Sequence, residues 1–393
     1  MFDENFILWK MFRKILKTVL LACLFAVLDA WSMERVVGAN ASLDIHAGAR
    51  SAALGGASIA LEGDLLELTS NPQQLSNAEN SWVAFSHVAY YEDTRYDYGA
   101  VQFPLGELGG LGIAFSRFGA DDIPWIAEGD PIPEGSDYKT LSIADYVFSL
   151  AWGRHFLNGR LNVGVGFHGL YRQLDQSGWG FRGDLGASYR ILPRFVVSSF
   201  LKGWTSSATT WEEGTFEYSS PEWYLGLRFE QPVSYFYGTF GAYWQSAGIL
   251  HRENRDEDWD GGVRGGRFWE HPLDWLGGGR AGLEFRFDFG LSLRAGLSSL
   301  SEWESWTAGA GFALSNWLRV DYAFESHPTL SAVHRVSLEV SPGLFLFPKK
   351  KTAKAPVQEE KSMEEKEAIS ELEPIPEEET PEEDSAGGIY WEE

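Results

Sequence analysis

Cysteine is almost missing from this chain: the only thiol in 393 residues is Cys23. Beyond that position nothing can form a disulfide, cycle redox states or offer sulfur to a metal. Basic charge is also short, with 32 Lys and Arg against 56 Asp and Glu and a formal net charge of −24, so the positive stripe that nucleic acid demands is absent. No apolar run is long enough to cross a membrane as a helix. No G-x-S-x-G or H-E-x-x-H occurs, and the eight histidines are scattered, which leaves no support for an enzyme. Methionine is scarce, whereas 43 Gly, 17 Trp, 15 Tyr and 26 Phe are present, a balance that suits strands and turns better than packed helices.

The charge is unevenly spread. Residues 355–393 hold 15 acidic and 2 basic side chains, more than half of the net −24. This Glu/Pro/Lys tail, taken as 349–393, is too polar to offset its ordering entropy and is expected to be disordered. Its last residues, Ile389, Tyr390 and Trp391, read either as a docking motif or as part of an inert tail. At the other end, Lys10, Arg13, Lys14 and Lys17 precede the apolar run Thr18–Leu28 and the small residues Ala30 and Ser32. That is the pattern of a signal peptide over 1–32, so export is expected.

From Ser81 to about Ser341 apolar and polar residues alternate again and again. Leu161, Val163, Val165, Phe167 and Tyr171 share one face of their segment, opposite Asn162, His168 and Arg172. Fourteen such segments follow one another: 81–91, 94–103, 110–119, 138–152, 160–173, 178–192, 194–206, 216–230, 234–247, 277–288, 289–300, 303–314, 316–326 and 329–341. Period-2 alternation of this length predicts two-faced strands. Short links such as "ILPR", "EQPVS", "DFG" and "LSNW" fall at one end of the array, and the longest, 120–137, 207–215 and 248–276, fall at the other. Tryptophans 223, 244, 303, 306 and 317 stand near strand ends. The pattern predicts an all-β, 14-stranded antiparallel transmembrane barrel over 81–345, in the outer membrane of a Gram-negative bacterium. Long loops would face outward, and the N-terminus and tail would face the periplasm.

Energetics choose the faces. A lipid-facing Arg at mid-depth costs about 2–4 kcal/mol, so the charged face must line the lumen. The residues assigned there are Arg172, Arg182, Asp184, Arg228, Glu284, Arg286, Arg294, Arg319, Asp321, Arg335 and Glu339. They are expected to pair across the wall; a selectivity role is the other reading. Fourteen strands enclose too much space for wall side chains to fill. The glycine-rich segment 39–80, with Leu54, Ile59, Leu61, Leu65, Leu66 and Leu68 wanting burial, is expected to fill it as a plug.

"GARSAALGGASIALEGDLLELTSNPQQL" (Gly48–Leu75), followed by "YYEDTRYDYGAVQFPLGELGGLGIAFSRFGADDIP", resembles the N-terminal pattern of the PorV/PorQ family, which are FadL-like barrels. Gly48, Ala49, Arg50, Gly55, Gly56 and Ala57 match that family's first run, and Asn71, Pro72 and Leu75 its second; Gln73 and Gln74 replace a small pair. The resemblance implies docking or shuttling of proteins in type IX secretion, with cargo or secretion components as partners. The more distant FadL relation implies a gated channel for a hydrophobic ligand.

Two loop features remain. Asp256, Asp258, Asp260 and Gly261 fit the start of a calcium loop, although Arg267 stands where the closing Glu belongs; the competing reading is a solvated acidic loop. No other cofactor is expected. Loop aromatics Trp125, Trp211, Trp259, Phe268 and Trp269 read either as anchors for a partner protein or as self-packing over the mouth.

Overall fold

Alternation fixes each segment as a strand because its two residue sets need different surroundings. A computed structural model describes residues 40–91, 93–125, 139–174, 176–219, 221–246, 248, 278–300 and 305–343. The strands are β1 Trp82–Ala89, β2 Arg95–Pro104, β3 Gly110–Trp125, β4 Lys139–Phe156, β5 Leu161–Gln173, β6 Ser177–Leu192, β7 Phe195–Lys202 and β8 Ser207–Trp211. They continue with β9 Phe216–Ser219, β10 Glu222–Val233, β11 Gly238–Gln245, β12 Arg280–Phe287, β13 Leu291–Leu297, β14 Trp306–Ser315, β15 Leu318–Glu325 and β16 Val333–Val340. All pairings are antiparallel, and β1 pairs β16 (Val83 opposite Val340) while β5 pairs β6 (Val165 opposite Leu185), which closes the ring.

The ring has fourteen staves because two are broken in the middle. β6 pairs β7 along Leu185–Leu192 and β8 along Gly178–Arg182, so β7 and β8 are one stave; β9 and β10 form the next, facing β8 and β7 in turn. At the break Gly203 and Ser206 take left-handed backbone, φ 65° and 64°, and Asp184 accepts the Gly203 N–H at 2.7 Å. The expected linker 207–215 is therefore mostly strand. The expected turn "EQPVS" is also moved: β10 runs on to Val233, with Pro232 opposite Thr239, and the chain reverses at Ser234–Tyr237.

Which side chains are exposed settles the orientation of the faces. Phe85, Phe115, Phe148 and Trp179 are 53–68 % exposed, whereas Arg182, Asp184, Glu284 and Ser337 are at most 3 % exposed. A protein folded for water does the opposite. The buried side is also where residues 40–80 lie. Residues 40–80 form 3-10 turns at Ala41–Asp44, Leu65–Glu67 and Pro72–Asn77 and one short helix, α1 (Ala49–Ala53). α1 packs against β13–β16, Leu65–Glu67 against β1 and β2, and Pro72–Asn77 against β3–β6. Elements that touch the ring on all these sides lie within it.

Candidate functional site

The inner segment meets the wall through glycine on both surfaces. α1 ends at Gly55 and Gly56, whose φ values of 68° and 79° reverse the chain as no β-carbon-bearing residue would do cheaply. A Cβ on Gly55 would lie 2.2 Å from the Leu297 carbonyl oxygen. Across the contact, Gly296 would meet the Gly55 nitrogen at 2.3 Å and Gly282 the Leu54 Cα at 2.6 Å. On the far wall, Gly164 would meet the Gln73 nitrogen at 2.3 Å and Gly110 the Leu75 carbonyl oxygen at 2.4 Å. The inward glycines are thus the sockets into which the segment's backbone fits. Sequence parity marks them as inward-facing, but nothing local marks which ones are touched.

Polar contacts finish the attachment. The Arg50 guanidinium donates to both oxygens of Glu284, Nε to Oε1 at 3.0 Å and Nη2 to Oε2 at 2.9 Å, and also to the Glu62 carbonyl at 2.8 Å. Glu284 is 1 % exposed and further holds Arg294 at 2.7 Å, Arg286 at 2.9 Å and the Tyr243 hydroxyl at 2.9 Å. Arg294 reaches on to Asp321, and Arg228 binds Glu62 at 2.8 Å. Arg319 binds Glu339 at 3.1 Å and the Gly63 carbonyl, while Arg335 binds Glu325 at 2.6 Å and the His46 carbonyl. Arg182 pairs with Asp184 and with Asp44, and Arg172 with Asp145 at 3.0 Å. All eleven charged wall residues singled out above are therefore engaged with a neighbour. Two carboxylates on the segment that pair with wall cations, Asp44 with Arg182 and Lys202 and Glu62 with Arg228, were not foreseen as partners.

The other motif residues hold the segment to itself and to the wall. Gly48 is the extended residue before α1, Ala49 donates its N–H to Ser337, and Ala57 packs with Leu54, Leu61 and Tyr243. Asn71 donates from Nδ2 to the carbonyls of Ser58 and Leu61 at 3.0 and 2.7 Å, Pro72 opens the 3-10 turn, and Leu75 is fully buried.

Three carboxyls of the segment are driven apart. Burial works against an ionised Asp44, yet Lys202 and Arg182 overrule it and hold the carboxyl at about 2. For Glu67 burial is likewise outweighed, by His46 and by the Ser51 and Ser70 hydroxyls, and it titrates below the ordinary value. Asp64 goes the other way: burial, then the negative Glu339 and Glu67, raise it well above the usual carboxylate range. Its Oδ2 has no hydrogen-bond partner among the described residues.

The segment leaves a cavity on each side. Towards the short turns, about 290 Å³ lies between Arg50, Asp64, Arg286, Arg319, Asp321 and Glu339. Towards the long links, about 250 Å³ is bounded by the apolar Leu43, Ile45, Ile59 and Phe200 and by the charged Asp44, Arg182, Lys202, Glu222 and Arg280.

One row has the composition of a hydrolase triad. Ser149 Oγ is 2.8 Å from His168 Nδ1, and His168 Nε2 is 3.1 Å from Asp184 without hydrogen-bond alignment. All three are at most 1 % exposed, and Asp184 already serves Arg182 and the Gly203 N–H. No substrate can touch this serine, so the row is a strut. No cluster of His, Cys, Asp or Glu suited to a metal occurs among the described residues. The acidic triplet Asp256, Asp258 and Asp260 lies outside them, as do Trp259, Phe268, Trp269 and the tail 349–393. Trp125 is 46 % exposed at the end of β3. Trp211 corrects its assignment as an exposed anchor: it is 8 % exposed, with Gly178 against its ring and the Arg172 guanidinium 5.3 Å above it.

No protein-family model matches this chain, and no curated protein matches it in sequence. Solved structures similar to it include the toluene transporter TbuX of Ralstonia pickettii, 14 % identical with a TM-score of 0.44, the match covering 75 % of this chain and 98 % of that one. The toluene transporter TodX of Pseudomonas putida is 13 % identical with a TM-score of 0.42, over 74 % and 96 %. A Pseudomonas aeruginosa FadL homologue is 9 % identical with a TM-score of 0.42, over 75 % and 98 %.

Proposed function

We propose that this chain is an outer-membrane channel, with residues 39–80 as a plug within the barrel 81–345, that passes small apolar or amphipathic molecules. The observation that carries this reading is the segment lying between two separate cavities, held to the wall by ion pairs, close backbone contacts and buried leucines such as Leu54 and Leu68. The long-link cavity supports an amphipathic solute, since Leu43, Ile45, Ile59 and Phe200 line it together with the charged Asp44, Arg182, Lys202, Glu222 and Arg280. The outward belt of Phe85, Phe115 and Phe148 supports a lipid setting. The long links then face outward and both termini the periplasm. Proteoliposomes holding the purified barrel should take up a fluorescent apolar amphiphile and exclude glucose. Uptake no faster than in protein-free vesicles would end this proposal.

A second reading keeps the PorV/PorQ resemblance: docking of proteins secreted by a type IX system. Trp125, exposed at the long-link end, favours it. Secreted proteins that co-purify with the wild type and not with Trp125→Ala would support this reading over the first.

A further inference from the structure

The wall of the ring is not equally tall. On β4 the outward residues from Tyr146 through Phe148, Leu150 and Trp152 to Phe156 are apolar or aromatic apart from Arg154, whose guanidinium lies over the Phe156 ring. On β6 the outward row runs from Trp179 to Ile191. Ten residues at about 3.4 Å each, tilted by about 40°, rise about 26 Å, which matches the apolar band of about 25 Å that barrels present to lipid.

Across the ring, the belt stops early. On β1 only Val83 and Phe85 precede His87; on β16 Val340, Leu338 and Val336 precede His334; on β2 Phe103, Val101 and Gly99 precede Asp97. These rows rise only about 10–15 Å by the same geometry. Above them stands a polar band that faces outward. His87 and Asp97 pair at 2.7 Å with 59 % and 55 % of their side chains exposed, Arg117 pairs with Asp121 at 2.6 Å, and Tyr322 pairs with His334 at 2.8 Å.

The lower edge is shared by both walls. Exposed Leu157 and Leu192 lie at the short turns under the tall wall, and Leu105, Leu108 and Leu314 at those under the short one. Glu107, Asn158, Arg160 and Arg194 are exposed in these same turns, and such a mix of apolar and polar groups under both walls puts the turn plane in the membrane's interface, so the missing height is all at the top. Charged pairs that face hydrocarbon would be costly, and a bilayer meets such a mismatch by thinning.

We propose that the β15–β2 face thins the bilayer locally by about 10 Å, drawing lipid headgroups down to His87, Asp97, Arg117 and His334 while the β4–β6 face spans full thickness. The proposal rests on the membrane reading above, and its test separates the two. In a Cys23→Ser background, spin labels would be placed at Ala89→Cys, Asp97→Cys and Phe148→Cys. Ala89, Asp97 and Phe148 are each eight residues from the short-turn end of their row, at Ser81, Leu105 and Phe156. Collisions with oxygen and with a water-soluble nickel chelate would be compared in phosphatidylcholine vesicles. The expected result is an oxygen-rich label at 148 and chelate-accessible labels at 89 and 97. Oxygen-rich labels at all three positions would overturn the thinning and leave the membrane reading intact. A chelate-accessible label at 148 would sink both. Dipolar broadening at 89 or 97 would put a second copy on this face instead and likewise overturn it. Ala89→Cys leaves the His87–Asp97 pair whole, so the test survives if Asp97→Cys does not fold.

Discussion

The two faces of one strand show how differently the same backbone is solvated. On β16, Val336 and Leu338 point outward and are 52 % and 37 % exposed, while Ser337 and Glu339 point inward and are 3 % and 7 % exposed. The outward Val336 and Leu338 depend on what surrounds the ring. The inner face depends on partners the chain itself supplies, above all from residues 40–80. A fault outside is therefore a fault of solvent match, and a fault inside is a fault of pairing.

The contrast breaks most completely where one carboxylate serves several cations. Glu284→Ala leaves Arg50, Arg286 and Arg294 without that charge in a buried place, and a loss of about 3–5 kcal/mol is expected. Urea unfolding in detergent reads it, and the cut sites of a protease within 40–80 should open in the same variant. A charge on the outer face comes next: Leu150→Arg, near the middle of the tall wall, should lose about 2–4 kcal/mol in vesicles. Vesicle refolding followed by heat-modifiable migration checks this, and a wild-type fraction of folded barrel would contradict the lipid-facing assignment. Gly296→Val fills a socket and should lose about 1–3 kcal/mol by forcing the segment away from β13. Its protease sensitivity should rise within 48–63 while the barrel itself stays folded.

The smallest effect sharpens the comparison through pH. Asp64 lies among Glu339, Glu67 and Asp321, with Arg50 as the nearest cation, and its carboxyl titrates above the ordinary value in the docked state. A raised acid binds more protons when docked than when released, so attachment weakens as pH rises from the ordinary carboxylate value through the docked one. Asp44 has the opposite sign: its contribution is complete above about 3.8 and is lost as pH falls towards about 2. Above the ordinary carboxylate value the Asp64 trend should appear, and Asp64→Asn should reduce it in a proteolysis series. A variant with the wild-type slope would assign the trend elsewhere.

The staves were readable because alternation is local: each needs only its own residues to declare two faces. All fourteen expected segments overlap an observed stave. The break between β7 and β8 was not readable, since it depends on Asp184 from a neighbouring strand capturing the Gly203 N–H. The inner network was half readable. Arg182, Glu284 and Arg294 could be assigned to the inside from parity, yet Arg50 finds Glu284 at a separation of 234 positions, and no spacing rule spans that distance. Trp211 misled because aromatics in a supposed loop read as exposed, whereas here a strand carries it under Arg172.

The sockets carry a consequence for the vacated tube. Where residues 53–59 and 68–76 now rest, the wall offers bare backbone at Gly112, Gly153, Gly164, Gly226, Gly282 and Gly296. Were the insert to withdraw, no rotamer could swing across those places to narrow the bore. The calibre there would be set by main chain alone, so on the channel reading proposed above, discrimination between permeants would have to reside in the stopper and its two antechambers rather than in the pipe.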